Sequence, residues 1–235
     1  SPGSSPLIRR SSFKVAWRTP KQKVCSVFKS TQITIRDERQ HHQGLFGAIL
    51  AGDLAQVLDL VEHNCTCLEQ VDAVGATPVH FAFLRRKTNI GKELVLRYPH
   101  CATYTYGQGP YLGENILHIA IMQQNVDLVR WLLGANPALL NAEVVGKFFA
   151  PAGMVYFGGY PLLFAVSSNQ REVLQTILNT RARDSEEELK NHITVVDRYG
   201  NTALHMTVIH DLPDMYDLVL EVAEKLEEPD CEYDD

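Results

Sequence analysis

An all-α repeat solenoid is the fold class this chain predicts, on three observations. A short phrase recurs: GATPVHFA ends at Ala82, GENILHIA at Ala120, GGYPLLFA at Ala165 and GNTALHMT at Thr207. His80, His118, Leu163 and His205 hold the same place in it, and Phe46 in GLFGAILAGD fits as an eroded first copy, giving intervals of 34, 38, 45 and 42 residues. Behind each copy, apolar residues return at helical spacing. Self-similarity at such a period marks stacked supersecondary units, none of which can bury its apolar face alone.

Each unit reads from its own periodicity. In the first, Leu54, Val57, Leu58 and Val61 follow a chain reversal at Gly52-Asp53. In the third, Ile116 to Met122 forms a short helix, Asn125 turns, and Val126, Val129, Leu132 and Leu133 face the core. The fourth turns at Asn169 and presents Val173, Leu174, Ile177 and Leu178. In the fifth, Asp211 and Pro213 start a helix carrying Met215, Leu218, Val219 and Val222. A period of about 33 residues and a T-P-L-H-x-A signature belong to ankyrin repeats, here with lengthening insertions. The expected organisation is a basic flexible arm over residues 1–42, about five ankyrin repeats over 43–226, and an acidic tail or the start of a truncated sixth repeat over 227–235.

Composition sets the limits. The chain has 235 residues, 45% hydrophobic and 21% charged, enough for one elongated core. No run approaches the roughly 18 apolar residues of a membrane span, and the start, SPGSSPLIRR, has no Met and no signal-peptide apolar region. Its net charge of −6 divides into +7 over residues 1–42 and −13 over the rest. The arm, interrupted by Pro2, Pro6 and Pro20, could meet an anionic membrane surface or an acidic partner, whereas the acidic body would repel nucleic acid. Ser11 and Ser12 follow Arg9-Arg10 and are candidate phosphorylation sites, where a phosphate would add about −1.5 to −2 charges.

Catalysis finds no support. The phrase histidines are expected to bond loop backbone, and a solenoid spreads them out instead of converging them on a metal. The five cysteines have no framework spacing and read as reduced thiols, and Cys65-x-Cys67 lacks the further ligands of a metal site. Neither a phosphate-binding loop nor a dinucleotide fingerprint is present.

The insertions are long and aromatic. One carries Tyr98, Tyr104, Tyr106 and Tyr111; the next carries Phe148, Phe149, Tyr156, Phe157 and Tyr160. Such rings either fold back on their own loop or form a docking surface. The expected partner-binding residues are Tyr104, Tyr106, Tyr111, Phe148, Phe149, Tyr156, Phe157 and Tyr160, giving a solenoid with long aromatic finger loops.

The run Y-F-G-x-x-P-L-x-F-A from Tyr156 to Ala165, the phrase D-x-x-G-N-T-x-L-H from Asp197 to His205, and M-Y-D-L from Met215 to Leu218 together resemble the cytosolic ankyrin domain of vanilloid-type transient receptor potential channels, with invertebrate sensory members nearest. The resemblance implies a regulatory and assembly domain of a tetrameric, calcium-permeable cation channel at the plasma membrane. Its partners would be neighbouring subunits and a cytosolic regulatory protein, and the membrane helices would follow this chain. The alternative is a free-standing cytosolic ankyrin adaptor. Some members bind ATP through lysines and an aromatic-Gln pair; Ala76 and Phe81 stand at the lysine positions, Tyr111 keeps the ring and Glu114 replaces the Gln. Tight ATP binding in that mode is therefore not expected, with Arg85 the one nearby cation.

Overall fold

The computed structural model describes residues 44–145 and 158–227. The basic arm with Ser11 and Ser12, the acidic residues beyond Glu227, and Phe148, Phe149, Tyr156 and Phe157 lie outside the described residues. Eleven α-helices are described: α1 (Gly44–Ala51), α2 (Leu54–His63), α3 (Pro78–Leu84), α4 (Thr88–Arg97), α5 (Ile116–Met122), α6 (Val126–Ala135), α7 (Pro161–Ser167), α8 (Arg171–Asp184), α9 (Glu186–Ile193), α10 (Ala203–Ile209) and α11 (Pro213–Glu227).

Every phrase copy opens a short helix, and these inner helices, α1, α3, α5, α7 and α10, pack side by side in chain order. Each also packs on the helix that follows it in its own unit, so the all-α ankyrin solenoid is the observed architecture. The reversal between the two helices of a unit is the same five times. Gly52, Arg86, Gln124, Asn169 and Asp211 have φ of +83°, 57°, 55°, 54° and 54°, and the next residue donates its N–H to a carbonyl five positions back. Such a left-handed residue ends a helix by satisfying its last carbonyls. In the third unit it is Gln124, one residue before the expected Asn125, which instead caps α6 by accepting the Leu128 N–H at 3.0 Å.

The units interlock through fully buried aliphatics. Phe83 is an exception in size, standing where Ile49, Ile121 and Val166 stand in the first, third and fourth units. The opposing helix compensates with Gly91 where Val57, Val129 and Leu174 stand elsewhere: a Cβ on Gly91 would meet three Phe83 ring carbons at 2.7, 2.8 and 2.9 Å. Side-chain amides add ties between units, Gln123 donating to the Phe83 carbonyl and Gln170 to the Ile121 carbonyl, both at 2.7 Å.

Helix α9 was not anticipated by the repeat pattern. Ser185 caps it, accepting the Glu188 N–H at 3.0 Å, and Glu186, Glu187 and Glu188 fill its first turn, where the helix dipole favours negative charge. It packs on α8 and α11. Arg181, 4% exposed, ties this region together: Nη1 lies 3.3 Å from Asp184 and 3.6 Å from Glu188, and Nη2 donates to the Asn141 side chain of the preceding unit.

Candidate interaction surface

Between units the chain leaves the inner helices as fingers, all closed by the same backbone pair. Asp72 donates to the Ala76 carbonyl, Tyr106 to Glu114, Val144 to Gly159 and Asp197 to Asn201, at 3.0, 2.8, 2.7 and 3.0 Å. These pairs enclose 3, 7, 14 and 3 residues, so the insertions are extensions of one motif. In the two short fingers an aspartate replaces missing backbone partners. Asp72 Oδ1 accepts from the Val74 and Ala76 N–H groups, Asp197 Oδ1 from those of Tyr199 and Asn201, and Gly75 and Gly200 supply the positive φ.

The fingers are joined to one another. The Val145 N–H donates to the Leu112 carbonyl at 3.0 Å, and Arg198 Nη2 donates to the Val145 carbonyl at 2.9 Å. Gly113, at φ +90°, permits the approach, because a Cβ there would overlap the Glu143 carbonyl oxygen. Gly113→Ala is accordingly expected to cost about 2 kcal/mol or more, from a side chain at positive φ together with the overlap. Urea denaturation of the variant beside the parent chain measures this directly.

Behind the fingers the phrase histidines cap the inner helices to which they belong. His80 Nδ1 accepts the Thr77 N–H at 3.3 Å, His118 Nδ1 that of Asn115 at 3.2 Å, and His205 Nδ1 that of Thr202 at 3.1 Å. Each thus serves the backbone entering its own helix. Burial pushes the His80 imidazole down to about 3, opposed in part by the Tyr104 carbonyl, and burial with the nearby His80 pushes His118 to about 3. Burial and then the Arg181 charge push His192 down to about 4. Among the described residues no group of His, Cys, Asp and Glu is placed to hold a metal ion, and Cys65, Cys67 and Cys101 are unpaired.

The sequence-expected docking rings are placed unequally. Tyr106 is a core residue, 3% exposed, its ring tilted against those of His80 and Tyr111 with centroids 4.6 and 5.3 Å away. It offers no free ring to a partner, because the finger closes over it. Tyr104, 5.9 Å from the His100 ring, and Tyr111 and Tyr160 are half-buried. The apolar groups most open to solvent along the fingers are ones that aromatic counting missed: Tyr199 at 69%, Val71 at 53%, Val196 at 45%, Val145 at 40% and Leu112 at 36% exposed. For Val71, Val196 and Tyr199 the available signal was their place at the D-x-x-G turns of Asp72 and Asp197; Leu112 and Val145 carry no such signal. At the positions weighed for ATP, Ala76, Phe81 and Glu114 are buried and the Arg85 guanidinium lies 5.1 Å from the centre of the Phe81 ring.

The last described unit ends on an uncovered face. Phe83, Ile121 and Val166, in units with a described successor, are fully buried, whereas Val208, at the same place in α10, is 67% exposed and Ile209 beside it 44%. Among the described residues no helix is long and apolar enough to cross a membrane.

Comparison with known proteins agrees with this architecture. The family model for ankyrin repeats (3 copies) matches residues 45–144. The chain is 32% identical over 155 residues to transient receptor potential cation channel subfamily V member 5 of Rattus norvegicus, covering 65% of this chain and 20% of that protein. It is 28% identical over 183 residues to subfamily V member 6 of Homo sapiens, covering 77% and 23%, and 33% identical over 128 residues to subfamily V member 1 of Cavia porcellus, covering 53% and 14%. The chain thus spans about a fifth of the length of the curated relatives it matches. Phrase, finger order and these similarities make it an N-terminal ankyrin repeat domain of the subfamily V transient receptor potential type.

Proposed function

We propose that this domain is a regulatory and assembly element on the cytosolic side of a tetrameric, calcium-permeable cation channel at the plasma membrane, where its fingers contact neighbouring subunits. The observation that carries the reading is the hydrogen-bonded row of fingers with Leu112, Val145, Val196 and Tyr199 exposed along it. Apolar side chains on a braced scaffold suit a protein interface, since little conformational freedom is lost on docking. Ankyrin repeats and channels are non-enzymatic kinds of protein, and the reading needs no catalytic step. The uncovered face at Val208 and Ile209 fits a stack that continues with a further unit seated on α10 and α11. The described acidic residues suit a cytosolic regulatory protein with basic character as a second partner.

Cross-linking of the domain within its full-length protein tests this. Inter-subunit links are expected from the segments 104–112, 144–160 and 196–199, and the pair Val145→Asp and Tyr199→Asp is expected to reduce the tetramer fraction about tenfold while leaving thermal unfolding of the domain unchanged. Links confined to the outer helices α2, α4 and α6, or assembly untouched by the paired substitution, would remove the fingers from the interface.

A further inference from the structure

At the closing pair of each finger, Ala76, Gly159 and Asn201 occupy the position that Glu114 holds in the second one. A carboxyl there is out of pattern. Glu114 is 7% exposed, and its Oε1 has no hydrogen-bond partner. Around it stand Tyr106 and Tyr111 of its own finger, both of which also feel the Asp72 charge of the preceding finger, with His80 behind Tyr106 and His118 beside His80. None supplies a compensating positive charge, because burial keeps both imidazoles neutral down to about pH 3. Glu143, whose carbonyl abuts Gly113 on the other side, is itself exposed.

We propose that Glu114 is a proton-controlled latch on the fingers: the neutral carboxyl lets the segment 106–114 close over Tyr106, and the ionised one favours its opening. An unpaired carboxylate in a buried site is strongly disfavoured, and opening returns it to water. Burial accordingly pushes the carboxyl up to about 8 from an ordinary 4.5. The closed finger holds the proton more tightly than the open one, so opening grows by about tenfold per pH unit between these two values and levels off above the higher. A rise of about 0.3 pH unit in that window would double the open population. The effect is passed on. Leu112 and Gly113 lie within the segment that opens, and they hold Val145, the first residue beyond the base of the long finger, through the Leu112 carbonyl. As a regulation of the finger surface this rests on the proposed docking role, but the latch itself is a property of the isolated chain.

The test uses the full 235-residue chain without any partner. The carboxyl carbon of Glu114, followed by NMR, is expected to titrate well above the ordinary glutamate range; titration near 4.5 would overturn the proposal. Hydrogen-exchange protection over residues 104–114 and 143–145 is expected to fall about tenfold per pH unit from about pH 5 to 8 in the parent chain, and to stay flat in Glu114→Gln. Equal pH dependence in both chains would overturn it as well. Glu114→Asn, with the residue of the fifth unit, serves if the glutamine variant does not fold. A flat profile beside finger cross-links in the full-length protein would sink the latch and leave the docking role standing; the reverse pair of results would do the opposite.

Discussion

Gly91→Val is expected to lower the unfolding free energy by about 2 to 3 kcal/mol, the usual cost of forcing extra methyl groups into a packed core. A Cβ at this position already meets the Phe83 ring at 2.7 Å, and Phe83 is fully buried. Helix propensity acts the other way, since valine replaces glycine inside α4, but by only about 0.5 kcal/mol. The first, third and fourth units supply the repair. They pair Ile49 with Val57, Ile121 with Val129 and Val166 with Leu174, a smaller residue against a larger one. Phe83→Ile alone is expected to cost about 1 to 2 kcal/mol through the void it opens, and the double variant to recover most of both losses. Urea titrations of the four chains close the cycle, and a coupling energy within about 0.5 kcal/mol of zero would show that the two side chains do not share one space.

Acid is expected to weaken the domain from about pH 6.5 downward, before its surface carboxylates, which titrate at about pH 4, begin to lose their charge. His80, His118 and His192 are held neutral in the folded chain down to about 3, 3 and 4. Their unfolded counterparts take up protons near 6.5, so between these limits the unfolded state binds more protons and stability falls as pH falls. The contribution of the three is complete above about pH 6.5. Glu114 runs in the opposite sense between 4.5 and about 8, where the folded state holds the extra proton. The net difference of about two protons makes stability decline by roughly 3 kcal/mol per pH unit below 6.5, about 10 kcal/mol in all by pH 3, so a stability in the lower half of the typical range of about 5–15 kcal/mol is exhausted between about pH 5 and 3. Urea midpoints at pH 7, 6 and 5 read the slope. In His118→Leu, which installs the residue type that Leu163 has in the fourth unit, the slope should fall by one proton; an unchanged slope would mean that His118 is protonated in the folded state.

The repeated phrase by itself determined the solenoid, because each copy encodes a short helix, a left-handed reversal and a second apolar face within a few turns of chain. The relations involved are local, so periodicity reveals them: Asp53, Asn169 and Pro213 could be placed before any packing was known. The insertions could be located for the same reason. What they do with their side chains was decided by tertiary structure. Tyr106 and Tyr199 are both tyrosines in fingers, yet a seven-residue loop folds the first onto His80, while a three-residue turn leaves the second in solvent. Glu114 likewise reads as a charged residue near a groove, and only the closure of residues 106–114 over it makes it a buried acid. Helix α9 escaped the repeat pattern because its support comes from α8 and α11, and the exchange of bulk between Phe83 and Gly91 is visible only where two helices meet. Period and turn chemistry are properties of neighbours along the chain, whereas burial, and with it charge state and exposure, depends on residues brought together from different units.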